Sequence, residues 1–128
     1  MPKQSRKPKL QGKLTHRQKR VLEELQLHVG VENLITAENI LPRLDFLFRE
    51  VAQEHRGRHL RIEVNAIRKA GYPVCSQGGK GYWWPKNLNE IKYSAEKEFR
   101  SKARDLLTTA ASMEEAGLVL FEGQGELL

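Results

Sequence analysis

The sequence predicts a mainly α fold carrying one small β-hairpin, an α+β arrangement in which helices supply most of the core. Three observations carry this expectation. Apolar residues recur three and four apart over most of the chain, which is the helical period. One stretch breaks that pattern: Tyr72 to Pro85 holds two short apolar runs around a glycine-rich tip, Ser76-Gln77-Gly78-Gly79-Lys80-Gly81. A last helical pattern, from Asn89 to Ala116, is much longer than the others.

The elements follow in order. Residues Met1 to Lys13 are rich in Lys and Arg, contain Pro2, Pro8 and Gly12, and have almost no apolar residues, so a basic mobile arm is expected over residues 1–13. Thr15 with Gln18 three residues on forms a capping-box pattern, and Val21, Leu22, Leu25 and Val29 follow at helical spacing. The first helix is predicted from His16 to His28, closed by Gly30. Thr36 is the next N-cap. Ile40, Leu44, Leu47, Phe48 and Val51 then predict a second helix from Ala37 to Glu54, bent or divided near Leu41 by Pro42.

Gly57 is read as a breaker, with Gln53 to Arg58 as the turn. The third helix is predicted over residues 59–70, with Leu60, Val64 and Ile67 on one face and Gly71 as its C′ residue. The hairpin occupies residues 72–85. In an extended strand alternate side chains face opposite ways. Tyr82 and Trp84 therefore share one face and Trp83 takes the other; one face is expected to pack on the third helix or the long helix, and Trp83, or whichever aromatic faces outward, is the ring open to stacking or a partner. After the long helix, Leu118-Val119-Leu120-Phe121 reads as a strand-like run. Four segments result: the arm (1–13), a helix-and-hairpin domain (14–86), a long helix for packing or dimerisation (87–117), and a short apolar segment with a tail (118–128).

Composition narrows the function. The chain has 128 residues, a net charge of +6 and a pI near 9.6, a balance that favours anionic partners and nucleic acid first. Its single cysteine, Cys75, rules out an intramolecular disulfide, and no His/Cys spacing suggests a metal site or a cofactor. Cys75 is expected to be buried and unreactive. The carboxylates are scattered among basic residues, the pattern of surface ion pairs, so no catalytic constellation is read and the protein is expected not to be an enzyme. No apolar run approaches the roughly 20 residues that span a bilayer. The expected location is the cytoplasm.

Ile62 to Trp84 resembles the winged helix-turn-helix domain at the N-terminus of biotin-repressor-type regulators. There a helix ends in a Leu/Ile-Arg-x-x-Gly-Tyr-Pro-Ile-like phrase and the wing closes with Gly-Tyr. This chain has Ile67-Arg68-Lys69-Ala70-Gly71-Tyr72-Pro73-Val74 and then Gly81-Tyr82. Tyr72-Pro73-Val74-Cys75-Ser76 is also similar to a wing phrase of small bacteriophage winged-helix proteins. The stretch Gln53 to Arg58 departs from the short turn that usually precedes the recognition helix.

The resemblance implies a winged helix with a long C-terminal helix that binds double-stranded DNA. Helix 59–70 would enter the major groove and wing 72–85 would lie on the backbone. Arg61, Asn65 and Arg68 form a stripe of donors, suited to bidentate contacts with guanine (Arg) and adenine (Asn). Arg56, Arg58 and His59 stand at the helix start beside the expected phosphates, and Lys69 at its end. Lys80 tips the wing; Lys7 and Lys9 belong to the arm. The partner reading is sequence-specific or structure-guided duplex DNA, used by a bacterial or phage transcription regulator, with a homodimer formed through the C-terminal helix. The alternatives are a phage protein that modulates a host protein, or an accessory factor in replication or recombination.

Overall fold

A computed structural model of the chain describes residues 11–122. Lys7, Lys9 and the rest of the first ten residues lie outside that range, as does the end of the tail.

Helix α1 spans His16–Leu25. Its start follows the capping-box chemistry: Thr15 Oγ accepts from the Gln18 N–H at 3.1 Å, and Gln18 Oε1 accepts from the Thr15 N–H at 3.0 Å. It buries Val21, Leu22 and Leu25 and ends earlier than expected, because the following residues leave the helix to meet the hairpin. Trp84 N–H donates to the His28 carbonyl at 2.8 Å, and Gly30 N–H donates to the Trp84 carbonyl at 2.8 Å.

Helix α2, Ala37–Leu44, is capped by Thr36, whose hydroxyl accepts from Asn39 N–H. Its predicted extension to Glu54 is corrected. The chain tightens into a 3₁₀ turn over Asp45–Leu47 and then bends. Leu47, Phe48 and Val51 still reach the core, but from turns rather than from a helix face. A second 3₁₀ turn, Gln53–His55, leads directly into α3, Arg56–Lys69. Gly57 therefore lies in the first turn of α3 rather than before it. Open space surrounds it, and a glycine at a helix end costs less than one in the middle. The end of α3 is as predicted. Gly71 takes φ +105°, its N–H donates to the Arg68 carbonyl, and Tyr72 N–H donates to the Ile67 carbonyl, the paired bonds of a Schellman cap.

The hairpin is β1, Cys75–Gln77, antiparallel to β2, Gly81–Trp83, in the register Cys75 opposite Trp83. On the other side of β2, Ile35 and Tyr82 exchange both backbone bonds, at 2.8 and 2.9 Å. Gly81 makes this approach possible. A Cβ there would lie 2.5 Å from the Ile35 carbonyl oxygen, and its φ of +148° is strained for any other residue. The core lies between α1, α2, α3 and β2, with Val21, Leu25, Ile40, Phe48, Leu60 and Val64 fully buried.

A third layer covers the outer face of the hairpin. Helix α4, Leu88–Ala95, is capped by Asn87, a π-helical turn follows over Glu96–Arg100, and α5 continues over Ser101–Glu122. Ser94 fixes α4 to β1: its hydroxyl accepts from the Ser76 N–H and donates to the Ser76 carbonyl, both at 2.9 Å, with both serines buried. Beyond the π turn the helix leaves the domain, and α5 has no buried residue. The strand-like reading of Leu118 to Phe121 is corrected, since all four are helical and Gly117 does not end the helix. A helix satisfies its own backbone groups, whereas a lone strand there would leave its N–H and C=O groups without protein partners. Among the described residues no helix is long and apolar enough to cross a membrane.

Candidate nucleic-acid interface

Helix α3 turns Leu60, Val64 and Ile67 inward and leaves Arg58, Arg61, Ile62 and Lys69 exposed, with Asn65 half-buried among them. The only carboxylate of α3, Glu63, is drawn the other way. It accepts from Gln18 Nε2 at 3.0 Å and pairs with Arg17 at 3.5 Å, both on α1. The outer face thus carries cations and amide donors without an acid of its own. Arg58, Arg61, Lys69 and Lys80 have no ion-pair partner among the described residues, whereas Arg17, Arg20, Arg43, Arg56, Lys86, Lys102 and Arg104 all do.

The expected donors divide into two groups. Arg58, Arg61 and Lys69 face solvent along α3. Arg56 and Arg68 are used by the fold. Arg56 donates from Nε to the Val51 carbonyl at 2.9 Å and pairs with Asp45 at 3.3 Å, holding the bend before the helix. Arg68 donates from Nε to the Val74 carbonyl at 2.8 Å, from Nη2 to Ser76 Oγ at 2.6 Å and from Nη1 to Asn65 Oδ1 at 3.0 Å, and its guanidinium lies 5.3 Å from the centre of the Phe99 ring. Burial lowers its pKa, opposed by the nearby Tyr82 and Glu98. Arg68 is the tie between α3, β1 and the start of the long helix rather than a free donor. Asn65 spends its carbonyl oxygen on that tie and keeps its NH₂ group. His59 is half-buried behind the stripe.

The hairpin tip is shorter and better held than its glycines suggest. Lys80 N–H closes a turn onto the Gln77 carbonyl at 2.8 Å, Gly79 adopts φ +76°, and Gly78 N–H donates to the Glu98 carboxylate. Lys80 stands exposed on this turn. The chain enters the described structure at the far end of α3, where Gly12 N–H donates to the Ala70 carbonyl at 2.7 Å and Tyr72 hydroxyl donates to the Gly12 carbonyl at 3.1 Å.

The aromatic run needs one correction. Trp83, expected to face outward, is completely buried, because α4 covers the side of the hairpin that sequence periodicity leaves open. Its Nε1 donates to Glu90 at 3.0 Å. Glu90 also accepts from the backbone N–H groups of Val31 and Lys86. Burial works to raise the Glu90 pKa, but these three bonds outweigh it and hold the carboxyl below its usual value. Tyr82 and Trp84 are half-buried against the core. Cys75 is buried and its thiol is pushed up to about 11, mainly by that burial.

Two features had no counterpart in the sequence reading. Ile62 is half-exposed in the middle of the cationic face, an apolar side chain among the cations. Glu98 braces the hairpin tip from the π turn. Helical spacing places Ile62 beside Arg58 and Asn65; nothing in the local pattern marks Glu98. Comparison with family models, curated proteins and solved structures returned no match.

Proposed function

We propose that this chain binds double-stranded DNA without catalysis, as a transcription regulator of a bacterium or bacteriophage, with α3 in the major groove and the hairpin along the backbone. The observation that carries this reading is the outer face of α3. Arg58, Arg61, Asn65 and Lys69 recur at helical spacing, their cations lack acidic partners among the described residues, and the helix's one acid is turned toward α1. A helix offered to a phosphate-lined groove needs an unneutralised face of this kind. Lys80 extends it from the hairpin turn, and the basic segment ahead of Gln11 joins the domain beside Lys69.

The test is duplex binding followed by fluorescence anisotropy across a salt series, after selection of bound sequences from a random duplex pool. Reversing Arg58, Arg61 and Lys69 to Glu is expected to lower affinity at least roughly a hundredfold and to reduce the salt slope by about three. Far-ultraviolet circular dichroism should be unchanged, since none of the three side chains supports the core. Equal binding by the reversed and native chains would refute the assignment of α3.

A further inference from the structure

The surface that the DNA reading leaves unused is α5. It is 22 residues long, about 33 Å at 1.5 Å per residue, and buries nothing. Yet Leu106 and Met113 are each 71% exposed and Leu120 61%. These residues fall into a pattern. Phe99, Leu106, Met113 and Leu120 recur every seven residues, and Ala103, Ala110 and Gly117 recur every seven between them. The alternating steps of four and three define a coiled-coil seam in which one row is large and the other small.

We infer that α5 pairs with α5 of a second copy of this chain, antiparallel, about a two-fold axis near Thr108. In that register Leu106 faces Ala110 of the partner subunit, Met113 faces the partner's Ala103, and the exposed half of Phe99, whose ring lies against Arg68 from the π turn just before α5, faces the partner's Gly117. Every one of these layers sets a large side chain against a small one, so the helices close to a uniform distance. Parallel pairing stacks like on like. Phe on Phe and Leu on Leu would hold the helices apart and leave voids at the alanine and glycine layers. The flanking charges select the same register: Arg100 lies beside Glu114 of the partner subunit, twice by symmetry, and Leu107 meets its own copy at the axis. The face therefore complements itself in size and in charge, as an isologous two-fold contact requires. This pairing does not depend on DNA.

The full chain, free of nucleic acid, is examined by sedimentation equilibrium from low micromolar concentration upward. A dimer is expected, and Leu106→Glu with Met113→Glu should raise its dissociation constant at least roughly a hundredfold, with the fluorescence of buried Trp83 unchanged. Orientation is read by oxidation in a Cys75→Ala background. Chains carrying Ala103→Cys mixed with chains carrying Met113→Cys should cross-link to each other, while Ala103→Cys alone should not. A monomeric native chain, an assembly that survives the double Glu change, or cross-linking of Ala103→Cys to itself each overturns the inference.

Discussion

Replacing Arg68 separates fold from recognition. Its guanidinium makes three hydrogen bonds, to the Val74 carbonyl, Ser76 Oγ and Asn65 Oδ1, and rests on Phe99. Hydrogen bonds from a charged donor contribute about 1.5–3 kcal/mol each when taken singly. They do not add, and the burial of the guanidinium offsets part of the gain. Arg68→Ala removes all three and strands Val74 O, whose residue is only 4% exposed. The expected loss is about 2–3 kcal/mol, or a fall of about 1–1.5 M in the urea midpoint for an m-value near 2 kcal/mol/M. Arg68→Lys keeps the charge and the stem but not the planar fork, and should recover less than half of the loss. Arg61→Ala, two turns away and exposed, should leave the stability within about 0.5 kcal/mol of the native value. The assay is urea unfolding followed by the fluorescence of Trp83, the buried indole nearest the tie. If Arg68→Ala costs no more than Arg61→Ala, the tie does not hold the hairpin and the division of the basic residues into structural and exposed is wrong.

Two other changes probe the hairpin. Gly81→Ala places a methyl 2.5 Å from the Ile35 carbonyl in a strained φ, and should cost at least about 2 kcal/mol, measured by thermal unfolding; a smaller change would mean that Ile35 and Tyr82 are not tightly paired. Glu90 has a folded-state pKa below its ordinary 4.5, so its contribution is present above that value and is lost as the pH falls through the lowered one. Acid unfolding of Glu90→Gln should therefore show a shallower loss of stability below about pH 4.5 than the native chain. An unchanged acid profile would remove Glu90 as the shared acceptor of Trp83, Val31 and Lys86.

The sequence was most informative where local chemistry decides the structure. Thr15 and Gln18 write their own cap, Gly71 writes the end of α3, and the glycines around Lys80 mark the turn. It was least informative where a distant element decides. Leu47, Phe48 and Val51 keep a helical spacing, yet the chain leaves the helix at Leu44 because a 3₁₀ turn and a bend deliver the same side chains to the core. Trp83 alternates outward from β2, and only α4, arriving later in the chain, covers it. Arg68 shares a stripe with Arg61 and Asn65, and periodicity cannot say that β1 and Phe99 lie above one end of that stripe. The exposed part of the candidate face, Arg58, Arg61 and Lys69, was legible because it depends only on the helical period and the inward apolar residues.

The π turn at Glu96–Arg100 sets an azimuth. One extra residue in a helix rotates everything beyond it by about 100° relative to an unbroken helix. The side of α4 that carries Ser94 against the hairpin continues five residues on to Phe99, under Arg68, and then to Ala103 and Leu106. An uninterrupted α-helix would carry the seam about a quarter-turn away from that side. The direction in which α5 offers its apolar row is thus set at this turn, by its residue count together with the seating of Phe99 under Arg68 and of Glu98 at Gly78. Removing one residue from the turn would re-aim the distal helix and would also shift Glu98 and Phe99, which sit within the turn.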